Sequence, residues 1–142
     1  MRPGPAVARV LDSWTVMAWL HDEKPARRRF ESLLDEAESG ETELLMNMVN
    51  VGEVFYLTAR RFGSARARRF WEDFQTSPVR IVPAPDSLIL AAAEWKSRYA
   101  ISYADAFAVA TAVREGAVLV TGDADFRPLA EDGVVRLEWL GS

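Results

Sequence analysis

The chain has 142 residues, 49% hydrophobic and 27% charged, with a formal net charge of −4. That composition describes one soluble globular domain with a full core, and its acidic balance excludes a general nucleic-acid binder acting by bulk electrostatics. There is no cysteine and one histidine, His21, so disulfides, thiolate sites and multi-histidine zinc sites are excluded, and any metal site is oxygen-rich, favouring Mg²⁺ or Mn²⁺.

In chain order, Met1–Pro5 lead into the first apolar run without a signal-peptide core. No run approaches the ~20 apolar residues of a membrane span, so a cytoplasmic protein is expected. Residues 7–11 read as a buried strand, short and β-branched. Residues 14–21 read as an apolar helix. Pro25 suits the first turn of a helix to about Ser39, closed by Gly40. Residues 43–46 read as a second strand. The spacing of Val51, Val54, Phe55 and Thr58 predicts a helix over 51–61, with Asn50 as its cap. Gly63 breaks the pattern, and Ser64 is expected to cap a basic helix to about Gln75.

Residues 79–82 are a third strand, bounded by Pro78 and Pro83. Pro85 and Asp86 open a helix to about Arg98. Ser102 caps the next, which runs to about Glu115 and ends at Gly116. Residues 117–121 are a fourth strand, 126–129 start a turn or short helix, and 134–139 form a last strand. Strands alternating with helices predict an α/β fold: a three-layer α/β/α sandwich around a central, mainly parallel sheet. No repeat or linker interrupts it, so residues 1–142 read as a single domain.

Four acids fall where such a sheet gathers its reactive groups. Asp12 ends the first strand, beside Ser13. Asp123 follows the fourth strand, with Asp125 in the same loop. Glu53 and Asp105 each fall three residues after an expected cap, Asn50 and Ser102. Clustered carboxylates repel, so a fold that gathers them has reason to hold a divalent cation. Each acid also has a purely structural reading. Asp12 suits the N-cap of the helix that follows it. Glu53 and Asp105 fit capping boxes, and turn chemistry accounts for Asp123 or Asp125 singly. Asp105 falls in the first turn of a helix that is apolar nearly all round, where an unpaired carboxylate is costly; this favours function there. The arginines at 27–29 and 60–69 read either as solvated helix faces or as phosphate or partner contacts.

Taken in order, Val10-Leu11-Asp12-Ser13-Trp14, Asn50-Val51-Gly52-Glu53-Val54, Ser102-Tyr103-Ala104-Asp105-Ala106 and Leu119-Val120-Thr121-Gly122-Asp123-Ala124-Asp125-Phe126 resemble the PIN-domain ribonucleases, and within them the VapC toxins of toxin–antitoxin pairs. The resemblance spans nearly the whole chain. It implies a PIN-like fold and a Mg²⁺- or Mn²⁺-dependent endoribonuclease that hydrolyses RNA through metal-activated water. It implies Asp12, Glu53, Asp105 and Asp123 as the catalytic and metal-binding acids, with Asp125 an additional ligand and Ser13, Thr121 and Asn50 in support. It also implies a homodimer and a small cognate antitoxin. One departure is Gly122, where many relatives carry a larger, often basic residue, which weakens expected phosphate contact at that loop. Two other readings remain open. A different Mg²⁺ phosphoryl-transfer enzyme, such as a phosphatase, would use Asp12 as nucleophile, although Trp14 stands where such phosphatases place a second Asp. A non-catalytic module would keep the fold for binding alone.

Overall fold

The computed structural model describes residues 6–21 and 23–141. The expectations for Met1–Pro5 lie outside the described residues. Five strands form the sheet: β1 (Val7–Leu11), β2 (Thr42–Asn47), β3 (Arg80–Val82), β4 (Val118–Thr121) and β5 (Leu137–Trp139). Their order is β3-β2-β1-β4-β5, and every pairing is parallel. The chain lays down β1, β2 and β3 toward one edge, then crosses back to place β4 and β5 on the other side of β1. The order therefore reverses between β1 and β4, and ligands of open α/β sheets bind outside the carboxyl ends of the strands at such a point.

The helices are α1 (Ser13–Leu20), α2 (Ala26–Glu38), α3 (Met48–Phe62), α4 (Ser64–Gln75), α5 (Asp86–Arg98), α6 (Tyr103–Glu115) and α7 (Arg127–Glu131). Strand side chains alternate between faces and divide the core in two. Val10, Leu45 and Leu119 pack with α5 and α6 residues such as Leu88, Ala92 and Phe107. Leu11, Leu44, Met46 and Val120 pack with Val16, Phe30, Val54 and Phe70 of α1 to α4. The expected three layers are present, and the sheet is wholly rather than mainly parallel.

Two expected caps move. Asn47, not Asn50, caps α3: its side chain accepts from the Val49 N–H, so the helix starts earlier than residue 51. The sequence masks this because Met48, Val49 and Asn50 are apolar or cap-like and continue the strand's apolar run. Asn50 is instead buried inside the helix and donates through Nδ2 to the Ala104 carbonyl, 2.9 Å. Ser64 is the first residue of α4 and makes no cap bond; Gly63, at φ 96°, holds that position. The last strand shortens to Leu137–Trp139. The caps at Ser102 and Gly116 stand as expected, with Gly116 in the left-handed region at φ 61°.

One ion network ties the edge strand to its neighbours. Glu138 of β5 accepts from Arg9 Nε of β1 at 3.1 Å and from Arg29 Nε of α2 at 3.0 Å. Burial opposes the Glu138 charge, yet the two guanidiniums hold its carboxyl below the ordinary range. A lowered carboxyl contributes stability above its unfolded pKa and loses it as pH falls. Glu138→Gln should cost roughly 1–3 kcal/mol in denaturant unfolding near pH 7. The difference should shrink as acid protonates the wild-type carboxylate.

Candidate metal centre

The sheet register places Leu11 opposite Val120, so Asp12 and Thr121 leave the sheet side by side at the reversal. Asp12 is 1% exposed, and both of its oxygens are engaged. Oδ1 accepts from the Thr15 N–H at 2.9 Å, which caps α1, and Oδ2 accepts from Thr121 Oγ1 at 2.5 Å. Thr121 Oγ1 also accepts from the Asp123 N–H at 3.0 Å. Thr15 Oγ1 donates to the Val120 carbonyl at 2.8 Å. Burial pushes the Asp12 carboxyl up to about 7, although the bonds from Thr121 and Thr15 favour its charged form and oppose the shift.

Beyond this buried acid lies an open cleft of about 440 Å³. Asp105, Asp123 and Asp125 line it, each offering a carboxylate oxygen within 4.8 Å of the others. Asp105 stands in the first turn of α6, where Ser102 Oγ accepts from its N–H at 3.1 Å. Asp123 caps a single 3-10 turn, Ala124–Phe126, by accepting from the Asp125 N–H at 2.9 Å. The short turn therefore points two acids of one loop at a third from a helix. Burial raises the Asp105 carboxyl to about 6, and the charges of Asp123 and Glu53 push it the same way.

Glu53 is also at the cleft, in the second turn of α3, and the earlier start of that helix removes a capping role for it. Ser13 Oγ donates to Glu53 Oε1 in a close contact. Asn50, one turn before Glu53, ties α3 to the residue preceding Asp105; its Oδ1 is buried without a partner among the described residues.

All of the acids expected from sequence thus meet at this end of the sheet, arranged in two ways. Asp105, buried, Asp123, half-buried, and Asp125, exposed, form a trio along the open cleft, with Glu53 on the wall. Asp12 and Thr121 lie buried and do not line the cleft. The lining includes no Lys, Arg or His, so no side-chain cation among it neutralises the trio. The donor set is entirely oxygen, which suits a hard divalent cation.

Trp14 also lines the cleft. Its indole packs over Gly122, where a Cβ would come within 2.2 Å of the ring. Trp14 therefore takes up the space that a side chain at position 122 would need. Neither residue betrays the other in sequence, since they are far apart in the chain and meet only across the β1–β4 junction.

A parallel α/β/α sandwich with an acidic cleft at its strand-order reversal defines an open α/β protein with a carboxylate cluster beyond its strand ends. Within that class, the family model described as PIN domain matches residues 9–132, and the chain belongs to the PIN-domain family. Among solved structures it is similar to VapBC2 from Rickettsia felis bound to a promoter DNA fragment, at 15% identity over 93% of this chain and 98% of that one, TM-score 0.69. It is similar to VapC20 from Mycobacterium tuberculosis, a sarcin–ricin loop cleaving toxin, at 22% identity over 84% and 93%, TM-score 0.66. A third is VapBC-1 from nontypeable Haemophilus influenzae, at 16% identity over 94% and 98%, TM-score 0.66. No curated protein matches the sequence.

Two outcomes follow from this geometry. Asp12 and Asp105 have folded pKa values of about 7 and about 6, above the ordinary 3.8. The folded state therefore binds more protons than the unfolded one between about pH 4 and 7, and its metal-free stability falls as pH rises through that window. Thermal melts in EDTA should show this decline, and Asp105→Asn should lessen it, leaving the part due to Asp12, and be more stable than wild type near pH 7. Separately, Gly122→Ala should force the Trp14 ring to move and cost roughly 1–3 kcal/mol. Adding Trp14→Phe should recover part of that loss in a double-mutant cycle.

Proposed function

We propose that the chain is a Mg²⁺- or Mn²⁺-dependent endoribonuclease, the toxin of a toxin–antitoxin pair. The observation that carries this is the carboxylate trio, three oxygens within 4.8 Å of one another with no basic side chain lining their cleft. Membership of the PIN family supports nuclease chemistry. That one structural neighbour is an RNA-loop cleaving toxin supports RNA as the substrate. That others are VapBC complexes supports a small antitoxin partner. A homodimer is proposed on the family resemblance alone.

Asp105, Asp123 and Asp125 would hold the cation. When bound, a divalent ion supplies a nucleophile by lowering the pKa of water, and offsets charge on the phosphoryl oxygens. Glu53 is proposed as the base that orients the attacking water. Ser13 occupies one of its oxygens, which fixes the carboxylate and leaves the other to take a proton. Asp12 is proposed to support the site from below: through Thr121 it sets the loop that carries Asp123. The phosphatase reading needs Asp12 as a free nucleophile, and its burial with both oxygens bonded counts against that.

The test is cleavage of an RNA substrate with and without EDTA. Asp105→Asn and Asp123→Asn should each lose more activity than the roughly 10–100-fold typical of losing an outer partner of a metal site. Saturating metal, at ~100-fold over its Kd, should stabilise the wild type by about 2.7 kcal/mol and the variants by less. Full Mg²⁺-dependent activity in Asp105→Asn would overturn the assignment.

A further inference from the structure

The acidic cleft has a second, unlike wall. Opposed in character to the carboxylates are three apolar side chains of its lining, Trp14 and Met17 of α1 and Leu57 of α3. Trp14 and Met17 are three residues apart and share a face of α1. Leu57 lies four residues beyond Glu53, so acid and leucine share a face of α3. Both walls belong to one cleft of about 440 Å³, within the roughly 300–1,000 Å³ usual for small-ligand sites.

Trp14 is held with one face of its ring fixed. A Cβ on Gly122 would lie 2.2, 2.4 and 2.5 Å from Cη2, Cζ2 and Cζ3 of the indole. Such similar distances to three bonded ring atoms place Gly122 under the face of the ring and not at its edge. The other stacked tryptophans of the chain already have partners. Trp19 meets Phe30, Trp95 meets Tyr99 and Arg98, and Trp139 carries Arg127. Among the described residues, no ring or guanidinium stacks on Trp14, and its indole N–H makes no hydrogen bond.

We propose that Trp14 is the base-binding platform of this site: the nucleobase beside the bond to be cleaved stacks on the indole, flanked by Met17 and Leu57. The phosphate half of this arrangement rests on the metal-dependent nuclease reading, and the base half rests on the apolar wall. With no Lys, Arg or His in the lining, an anionic substrate is held by a cation at the trio and by what the apolar wall contributes. A nucleotide supplies both parts, a phosphate and, one ribose away, a planar face. An apolar side chain of a protein partner would cover the wall but bring no phosphate to the same cleft. Stacking on an aromatic side chain needs an unpaired base, because bases within a duplex already have their faces covered. Trp14 thus selects unpaired RNA over paired RNA.

The experiment compares adenosine 5′-monophosphate with ribose 5-phosphate by titration calorimetry, using the full chain in saturating Mg²⁺. The two ligands share phosphate and ribose and differ by the base. The wild type should bind the nucleotide about fivefold or more tightly. Trp14→Ala should bring the two affinities together at the ribose 5-phosphate level, and Trp14→Phe should keep part of the preference. Gly122→Ala, which displaces the ring, should reduce the preference with Trp14 intact. The rise in melting temperature with Mg²⁺ should be the same in Trp14→Ala as in wild type, which reports the trio separately from the wall. Equal affinities in the wild type, no measurable binding of either ligand, or a preference that survives Trp14→Ala would each overturn the platform. So would loss of both ligands together in Trp14→Ala, which would make Trp14 a support for the Asp123 loop. A Trp14-dependent preference without metal-dependent RNA cleavage would keep the platform and sink the ribonuclease reading; cleavage without the preference would do the reverse.

Discussion

The hydrogen bond from Thr121 Oγ1 to Asp12 Oδ2, 2.5 Å long at the reversal of strand order, is the contact on which the acidic end of this molecule hangs. It joins two strands separated by most of the chain. Burying a carboxylate is expensive unless its oxygens are paired, and Asp12 is paired twice, once by Thr121 and once by the first turn of α1. The same threonine oxygen receives the Asp123 N–H. A single hydroxyl therefore connects the buried acid to the loop bearing the exposed ones, and the direction of that loop is set from inside the protein.

The site works against stability. Burial and mutual repulsion raise Asp105 and Asp12 above the ordinary carboxyl range, so their ionisation near neutral pH costs folding free energy. Elsewhere the fold follows the opposite logic. Glu138 is held below its ordinary range by Arg29 and Arg9, and there ionisation stabilises. Both environments are half-buried or buried; the difference is whether the nearest charges are cations or other carboxylates. A cation supplied from solution would reverse the sign at the acidic cleft, which is the physical basis for coupling metal binding to stability in such a site.

Much of this was legible in the residues themselves. The β-branched runs at 7–11 and 117–121 had the length and apolar character of buried parallel strands, and both formed. Ser102 and Gly116 bracketed α6 because their chemistry is local: a hydroxyl that accepts an N–H three residues on, and a glycine that adopts positive φ. Asn47 and Asn50 show where local reading ran out. Both are cap-forming residues three positions apart, and only packing of the second against the Ala104 carbonyl decided that the first begins the helix. That shift also freed Glu53 from a capping explanation that the pattern alone had kept open.

The sequence by itself determined the alternation of strands and helices, the oxygen-only donors available to any metal site and the positions of the acids at the strand ends and helix starts, because these depend on residue type and short-range spacing. Only the tertiary structure decided how those acids divide. Asp12 turns inward onto Thr121 and Thr15, whereas Asp105, Asp123 and Asp125 converge in the open cleft. That division follows from strand order and from which side of the β1–β4 junction each side chain leaves, contacts made between residues about a hundred positions apart in the chain. The same holds for Trp14 on Gly122: a glycine that looked like a loss at the site is the space an indole from the other strand's end requires.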